Sequence, residues 1–200
     1  MVIEMAKRSY TLKKRADSKD ATRARIVAAT VALHEELGPK NTTISAVAER
    51  AGVQRLTVYR HFPDETSLFQ ACTSQWLEDH PPPEPAEWAG LTSAAERRKA
   101  ALTALYGYYR RTARMWTAAC RDEQEVAALR QPMRAFRRYL AAVADDLVDA
   151  HRFAGTRRAR LATTLRHAVQ FETWRSLAGD HADADIAALV GLWISGIEAA

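Results

Sequence analysis

Residues 54–61 read Gln-Arg-Leu-Thr-Val-Tyr-Arg-His, and their side chains suit the edges and backbone of a DNA duplex. Arg55 carries a planar fork that can donate two bonds to guanine O6 and N7. Gln54 carries the amide that pairs with adenine N6 and N7. Leu56 offers an apolar surface to a thymine methyl. Thr43, Thr57, Tyr59 and His61 are donors for phosphate oxygens, which fix register without reading sequence. Arg60 suits a phosphate or solvent. The plain alternative is a helical hairpin that binds nothing.

Short helices must present these groups. Residues 44–51 form one, entered through Thr42-Thr43, with Ile44, Val47, Ala48 and Ala51 as its buried stripe. Gly52-Val53 makes a tight turn. Residues 54–61 form the next helix, with Val58 and Phe62 facing inward. A helix this short is not stable alone. Packing of Val53, Val58 and Phe62 against Ile26, Leu33 and Val47 must hold it. Short helix, tight turn, short helix is how a helix-turn-helix offers its second helix to the major groove.

The scaffold is helical on both sides of this unit. A first helix is predicted from Ser18, its cap, to Leu37, with Ile26, Thr30, Leu33 and Leu37 on one face. Gly38-Pro39 ends it. Asp64 caps a fourth helix over 65–78 through Leu68, Phe69, Cys72 and Trp76. Residues 79–92, with Pro81-Pro82-Pro83, read as loop. Ser93 and Glu96 form a capping box that restarts helix. Helices follow over 94–120, with a break near Thr112, and over 126–151, 157–178 and 183–198. The fold class is all-α.

Composition narrows the function. The chain has 200 residues, a net charge of +5, 48% hydrophobic and 26% charged residues, which is ordinary globular usage. No apolar run approaches the roughly 18 residues of a membrane span. The first twenty residues have cations but no apolar stretch behind them, so they do not read as a secretory leader. Two cysteines make no disulfide framework, and the chain is expected to be cytoplasmic, with Cys72 and Cys120 as buried apolar residues. Residues 1–30 hold eight Lys or Arg against three acids, an imbalance equal to the charge of the whole chain. That basic end fits an anionic partner or a solvated tail.

In order, Thr42-Thr43-Ile44-Ser45-Ala46-Val47-Ala48-Glu49-Arg50-Ala51-Gly52-Val53-Gln54-Arg55-Leu56-Thr57-Val58-Tyr59-Arg60-His61-Phe62 resembles the DNA-binding domain of the tetracycline-repressor (TetR) family. The likeness covers roughly residues 18–70. It implies a homodimeric transcriptional regulator, a repressor released from a palindromic operator by a small-molecule effector. It implies a basic flexible arm over 1–17, a helix-turn-helix domain over 18–63 and a regulatory and dimerisation domain over 64–200. The DNA-binding set becomes Thr42, Thr43, Gln54, Arg55, Leu56, Thr57, Tyr59, Arg60 and His61. Two departures stand out. Gln54 sits where many members have a capping Ser. Asp64-Glu65-Thr66 stands where many have a phosphate-binding Lys, and the basic segment over residues 7–25 is expected to compensate.

The C-terminal part offers two further readings, each with a plainer rival. Trp76, Tyr106, Tyr109, Trp116, Phe136 and Trp174 form either the aromatic wall of an effector pocket or ordinary core. Arg110, Arg111 and Arg114 hold an acidic ligand or form a solvated charge run. Ile186, Leu189, Val190, Trp193 and Ile197, with Leu161, Leu165, Ala168 and Phe171 before them, form a dimer surface through the last two helices or an intradomain face. The run from Asp180 to Asp185 resembles a metal cluster only in composition; capping and the helix dipole explain it, and no metal or cofactor is expected. No catalytic constellation is present, so the chain does not read as an enzyme. A helical ligand-binding protein or small enzyme without DNA activity, and a nonspecific DNA binder, are the alternatives.

Overall fold

The structure is a computed structural model that describes the backbone of residues 2–199 and the side chains of residues 17–197. Every regular element among them is helical: α1 (Val2–Leu37), α2 (Ile44–Ala51), α3 (Arg55–His61), α4 (Glu65–Asp79), α5 (Ala86–Ala89), α6 (Ala94–Asp122), α7 (Arg130–Asp149), α8 (Gly155–Ala168), α9 (Phe171–Ala178) and α10 (Asp183–Ala199). Short 3-10 turns lie at Pro39–Asn41 and Ala127–Leu129. No described helix is long and apolar enough to cross a membrane. The chain divides into two compact units, one through Asp79 together with Ala118–Ala128, the other formed by His80–Thr117 and the chain from Leu129.

In the N-terminal unit, α1 begins at Val2 rather than at Ser18. Neither Gly nor Pro interrupts the chain before Gly38, and Ala, Lys, Arg, Leu and Met are good helix formers. Ser18 therefore lies inside the helix, where its carbonyl accepts from Thr22 Oγ1 at 2.9 Å. Side chains of the basic segment before Asp17 lie outside the described residues. Ile26, Val27, Ala29 and Leu33 face a core shared with Val47, Ala48, Ala51, Val58, Phe62, Leu68 and Cys72. Leu37, expected on that face, is exposed at the helix end. Because Leu68 and Cys72 belong to this core, α4 is part of the N-terminal unit, which runs beyond residue 63.

The join between α1 and α2 is built from a distant part of the chain. Gly38 has φ 87°, and Arg121 Nη2 donates to Leu37 O at 3.0 Å beside it. A Cβ on Gly38 would lie 1.9 Å from that nitrogen and 2.4 Å from Asp122 Oδ2. Asp122 is buried, accepts the Lys40 N–H at 3.1 Å and pairs with Arg121 at 2.7 Å. The Arg121 bond, ahead of the Lys40 contacts, holds its carboxyl below the usual range despite burial.

In the C-terminal unit, α6 runs unbroken past Thr112, which donates back to Tyr108 O at 2.6 Å while the helix continues. The loop over 79–92 contains one helical turn, α5, whose Trp88 is buried and donates to Asp146 at 3.0 Å. Arg97 pairs with the same carboxylate. The helix expected over 157–178 breaks instead into α8 and α9. Tyr106 and Tyr109 hydroxyls donate to the carbonyls of Ala168 and Val169 at 2.8 and 2.7 Å. Gln170 then turns extended, with φ −75° and ψ 146°, before α9 begins. Leu161, Leu165, Ala168 and Phe171 are buried within this unit, as are Ile186 and Val190. They are core residues rather than free dimer surface. Leu189, Leu192 and Trp193 form the exposed apolar side of α10.

Candidate nucleic-acid interface

The turn between α2 and α3 follows from local chemistry. Thr43 caps α2, its Oγ1 accepting the Ala46 N–H at 3.2 Å. Gly52 ends α2 in the left-handed region at φ 64°, and its N–H reaches the carbonyls of Ala48 and Glu49. A side chain at that position would be strained. Val53 N–H returns to Ala48 O at 2.9 Å, closing the turn. Gln54 opens α3 without a side-chain cap bond, consistent with the poor capping of Gln.

The seven residues of α3 are held from one side only. Val58 is fully buried and Phe62 nearly so, and burial of such side chains is worth about 1.5–3 kcal/mol each. The opposite face carries Gln54, Arg55, Leu56, Tyr59 and Arg60, all exposed, with Thr57 half-buried. Leu56 is 68% exposed, although it is the largest aliphatic residue of the helix. Among the described residues neither Arg55 nor Arg60 has an ion-pair partner. A cation-bearing helix face with a bare leucine can take two base-edge donors and one methyl contact without removing any internal bond.

Thr43 and Thr42 differ. Thr43 accepts from its own helix, which leaves its hydroxyl proton free to donate outward. Thr42 is half-buried and donates that proton to Gly38 O at 2.9 Å, which ties the α1–α2 turn. His61 is half-buried, and its Nδ1 is enclosed without a hydrogen-bond partner among the described residues. Burial first, then Lys19, Arg60 and Arg23, lower its pKa, against Asp20. Arg23 lies over the Phe62 ring with its guanidinium carbon 4.8 Å from the centroid. Sequence reading placed Lys19 and Arg23 only within the basic segment over residues 7–25 expected to compensate for the missing phosphate-binding Lys; their i, i+4 spacing on α1 was the sharper signal.

Residues expected at an effector pocket are placed in two groups. Trp76 belongs to the N-terminal unit, where its Nε1 donates to Glu35 Oε1 at 3.2 Å. Tyr109, Trp116, Phe136 and Trp174 form a contiguous aromatic cluster in the C-terminal unit, with Trp116 and Phe136 stacked at 4.0 Å and Tyr109 meeting Trp174 at 6.0 Å. Tyr106 and Tyr109 already donate to backbone, and burial raises both phenol pKa values. Arg110 is held by Asp183 and by His181 O at 2.7 Å. Trp174 Nε1 also donates to Asp183, at 3.1 Å. No group of three His, Cys, Asp or Glu suited to a metal occurs among the described residues. A cleft in the N-terminal unit, lined in part by Thr30, His34, Thr43 and Glu65, has a volume of about 50 Å³. Organic ligands usually need roughly 300 Å³ or more, so this cleft is too small for one.

Comparison with known proteins agrees with this geometry. The profile of the bacterial regulatory proteins of the tetR family matches residues 26–72. The fold is similar to a TetR-like transcriptional regulator from Rhodococcus sp. RHA1, with TM-score 0.63 and 17% identity over 86% of this chain and 93% of that one. It is similar to a tetR-family transcriptional regulator from Streptomyces coelicolor, with TM-score 0.62 and 15% identity over 90% and 81%. The multidrug binding protein EbrR, complexed with imidazole, aligns with TM-score 0.53 and 17% identity over 88% of each chain. A search among curated proteins finds no match. At such identities the structural likeness speaks for the fold, and the matched profile covers the capped turn and exposed helix just described. Over residues 26–72 the chain is similar to the bacterial regulatory proteins of the tetR family, and this N-terminal stretch holds the helix-turn-helix just described.

Proposed function

We propose that the protein is a cytoplasmic repressor that binds a palindromic operator as a homodimer and leaves it when a small molecule binds the C-terminal unit. The observation that carries the reading is the two-sided α3, with Val58 and Phe62 in the core and Arg55, Leu56, Tyr59 and Arg60 in water. Gln54, Arg55 and Leu56 read bases; Thr43, Thr57, Tyr59 and His61 hold phosphates, and Arg60 joins them. Two copies meet through the exposed side of α10. Two-fold symmetry then sets the recognition helices one helical turn of DNA apart.

The effector acts in the unit that holds the aromatic cluster of Tyr109, Trp116, Phe136 and Trp174. The imidazole complex of EbrR supports a small-molecule ligand. Such a ligand releases DNA only by favouring one conformation over another, with a coupling of about 1–3 kcal/mol. The protein acts by binding, without catalysis. Selection of duplexes from a random pool by the purified full chain tests the reading. Near-palindromic sequences with half-sites about 10 base pairs apart are expected. Failure to enrich any sequence, or enrichment without symmetry, would overturn it.

A further inference from the structure

One end of α3 carries more positive charge than its base-reading face uses. His61 closes the helix, and three cations act on it: Lys19 and Arg23 from α1 and Arg60 from α3 itself. Arg23 is fixed there by its contact with the Phe62 ring. Asp20 on α1 is the one acid acting on the imidazole among the described residues. The segment that follows brings Asp64 and Glu65; Asp64 accepts the Ser67 N–H at 2.7 Å and so caps α4. His61 Nδ1 is buried and has no hydrogen-bond partner among the described residues. A buried ring nitrogen without a partner is uncommon, because the lost hydration is not replaced.

Resting on the reading of α3 as the DNA-facing helix, we propose that Lys19, Arg23, Arg60 and His61 form a docking site for a DNA backbone phosphate, and that His61 takes up a proton as the phosphate docks. In the free protein burial first, and then the surrounding cations, oppose a positive charge on the ring. A phosphodiester brings one negative charge into the same cluster and offsets part of that repulsion. The imidazolium then has two donors where the neutral ring has one. The balance is protein plus DNA plus one proton on the left and the protonated complex on the right. His61 has the higher pKa in the complex, so the complex binds more protons than the free partners and operator affinity rises as pH falls. Salt weakens the same contacts, because phosphate neutralisation releases counterions.

The test uses the full chain and a duplex selected from the random pool. Calorimetric titration at pH 7 in PIPES and in Tris separates binding heat from buffer protonation and counts protons. Wild-type protein is expected to take up a proton fraction, and His61→Gln to lose most of it while still binding. An NMR titration, with the ring assigned by difference from His61→Gln, is expected to place the His61 pKa higher in the complex than in the free protein. A one-unit rise corresponds to at most about a tenfold gain in affinity between pH 8 and pH 6. Zero uptake by wild type, equal uptake by His61→Gln, or an unchanged His61 pKa would each overturn the proposal while leaving DNA binding in place. If His61→Gln does not fold, Lys19→Gln serves: it keeps the ring and removes one of the cations that hold the phosphate, so a smaller salt dependence of binding is expected, and an unchanged dependence counts against the site. Absence of any bound duplex is a different result, and it removes the DNA-facing reading of α3 itself.

Discussion

Helices α3 and α10 both leave large apolar side chains in water, and their neighbours are opposite in kind. On α3, Leu56 and Tyr59 sit among Arg55, Arg60 and Gln54. On α10, Leu189, Leu192 and Trp193 sit among Ala188, Ser195 and Gly196, with no cation between them. Exposure alone therefore does not name a partner. Interleaved guanidinium groups make the first face fit a polyanion with methyl groups in its groove. The uncharged second face fits an apolar surface of the same character, such as a second copy of itself.

The largest expected effect comes from placing charge on α10. Leu192→Asp with Trp193→Asp should convert a dimer to monomers in sedimentation and weaken operator binding by a hundredfold or more, since each half-site alone binds weakly. A dimer that persists would assign the apolar face elsewhere. An acid titration probes the frame beneath α3. His34 is buried between α1 and α4, 3.6 Å from Cys72 Sγ, and burial lowers its pKa to about 4. Its unfolded value is 6.5, so the unfolded chain binds the extra proton first. Stability is full above pH 6.5 and declines as pH falls toward 4, by about 3 kcal/mol at most. His34→Gln should flatten the decline in chemical denaturation; an unchanged slope would place the acid sensitivity in other groups.

Smaller effects distinguish the two kinds of contact on α3. Arg55→Ala should cost about 2 kcal/mol on the selected operator and little on random duplex. Equal losses on both would make Arg55 a phosphate contact. Tyr59→Phe removes one hydroxyl donor, and a loss of about 1 kcal/mol should appear on both duplexes alike. Quantitative gel shifts at one salt concentration measure both. Neither variant should alter the dimer, which is what separates this face from α10.

The sequence showed what neighbouring residues decide. The helix entry at Thr42-Thr43, the tight turn at Gly52-Val53, the Asp64 cap and the inward Val58 and Phe62 all depend on residues within a turn of one another, and the structure has each of them. Long-range bonds were invisible. The split between α8 and α9 follows from Tyr106 and Tyr109 hydroxyls that act across about sixty residues. No local signal at Val169-Gln170 announces it. The two faces of α10 were merged for another reason. Ile186, Val190 and Ile194 point inward while Leu189, Leu192 and Trp193 point outward, and a helix apolar on both sides has no period that tells them apart. Thr42 and Thr43 are equally exposed to misreading, since identical side chains have opposite hydrogen-bond roles one residue apart.

The capped join at Gly38 bears on how this chain can be recombined. The DNA-binding unit takes its final pieces, Arg121 and Asp122, from a stretch encoded some eighty codons downstream of the helix they finish. A gene fragment ending at codon 79 would omit them; Leu37 O would keep only its bond from Asn41, and the Lys40 amide would lose Asp122. Swapping this regulator's reading head onto another sensor therefore calls for a discontinuous graft, and a single crossover near the proline run would inherit an unfinished joint.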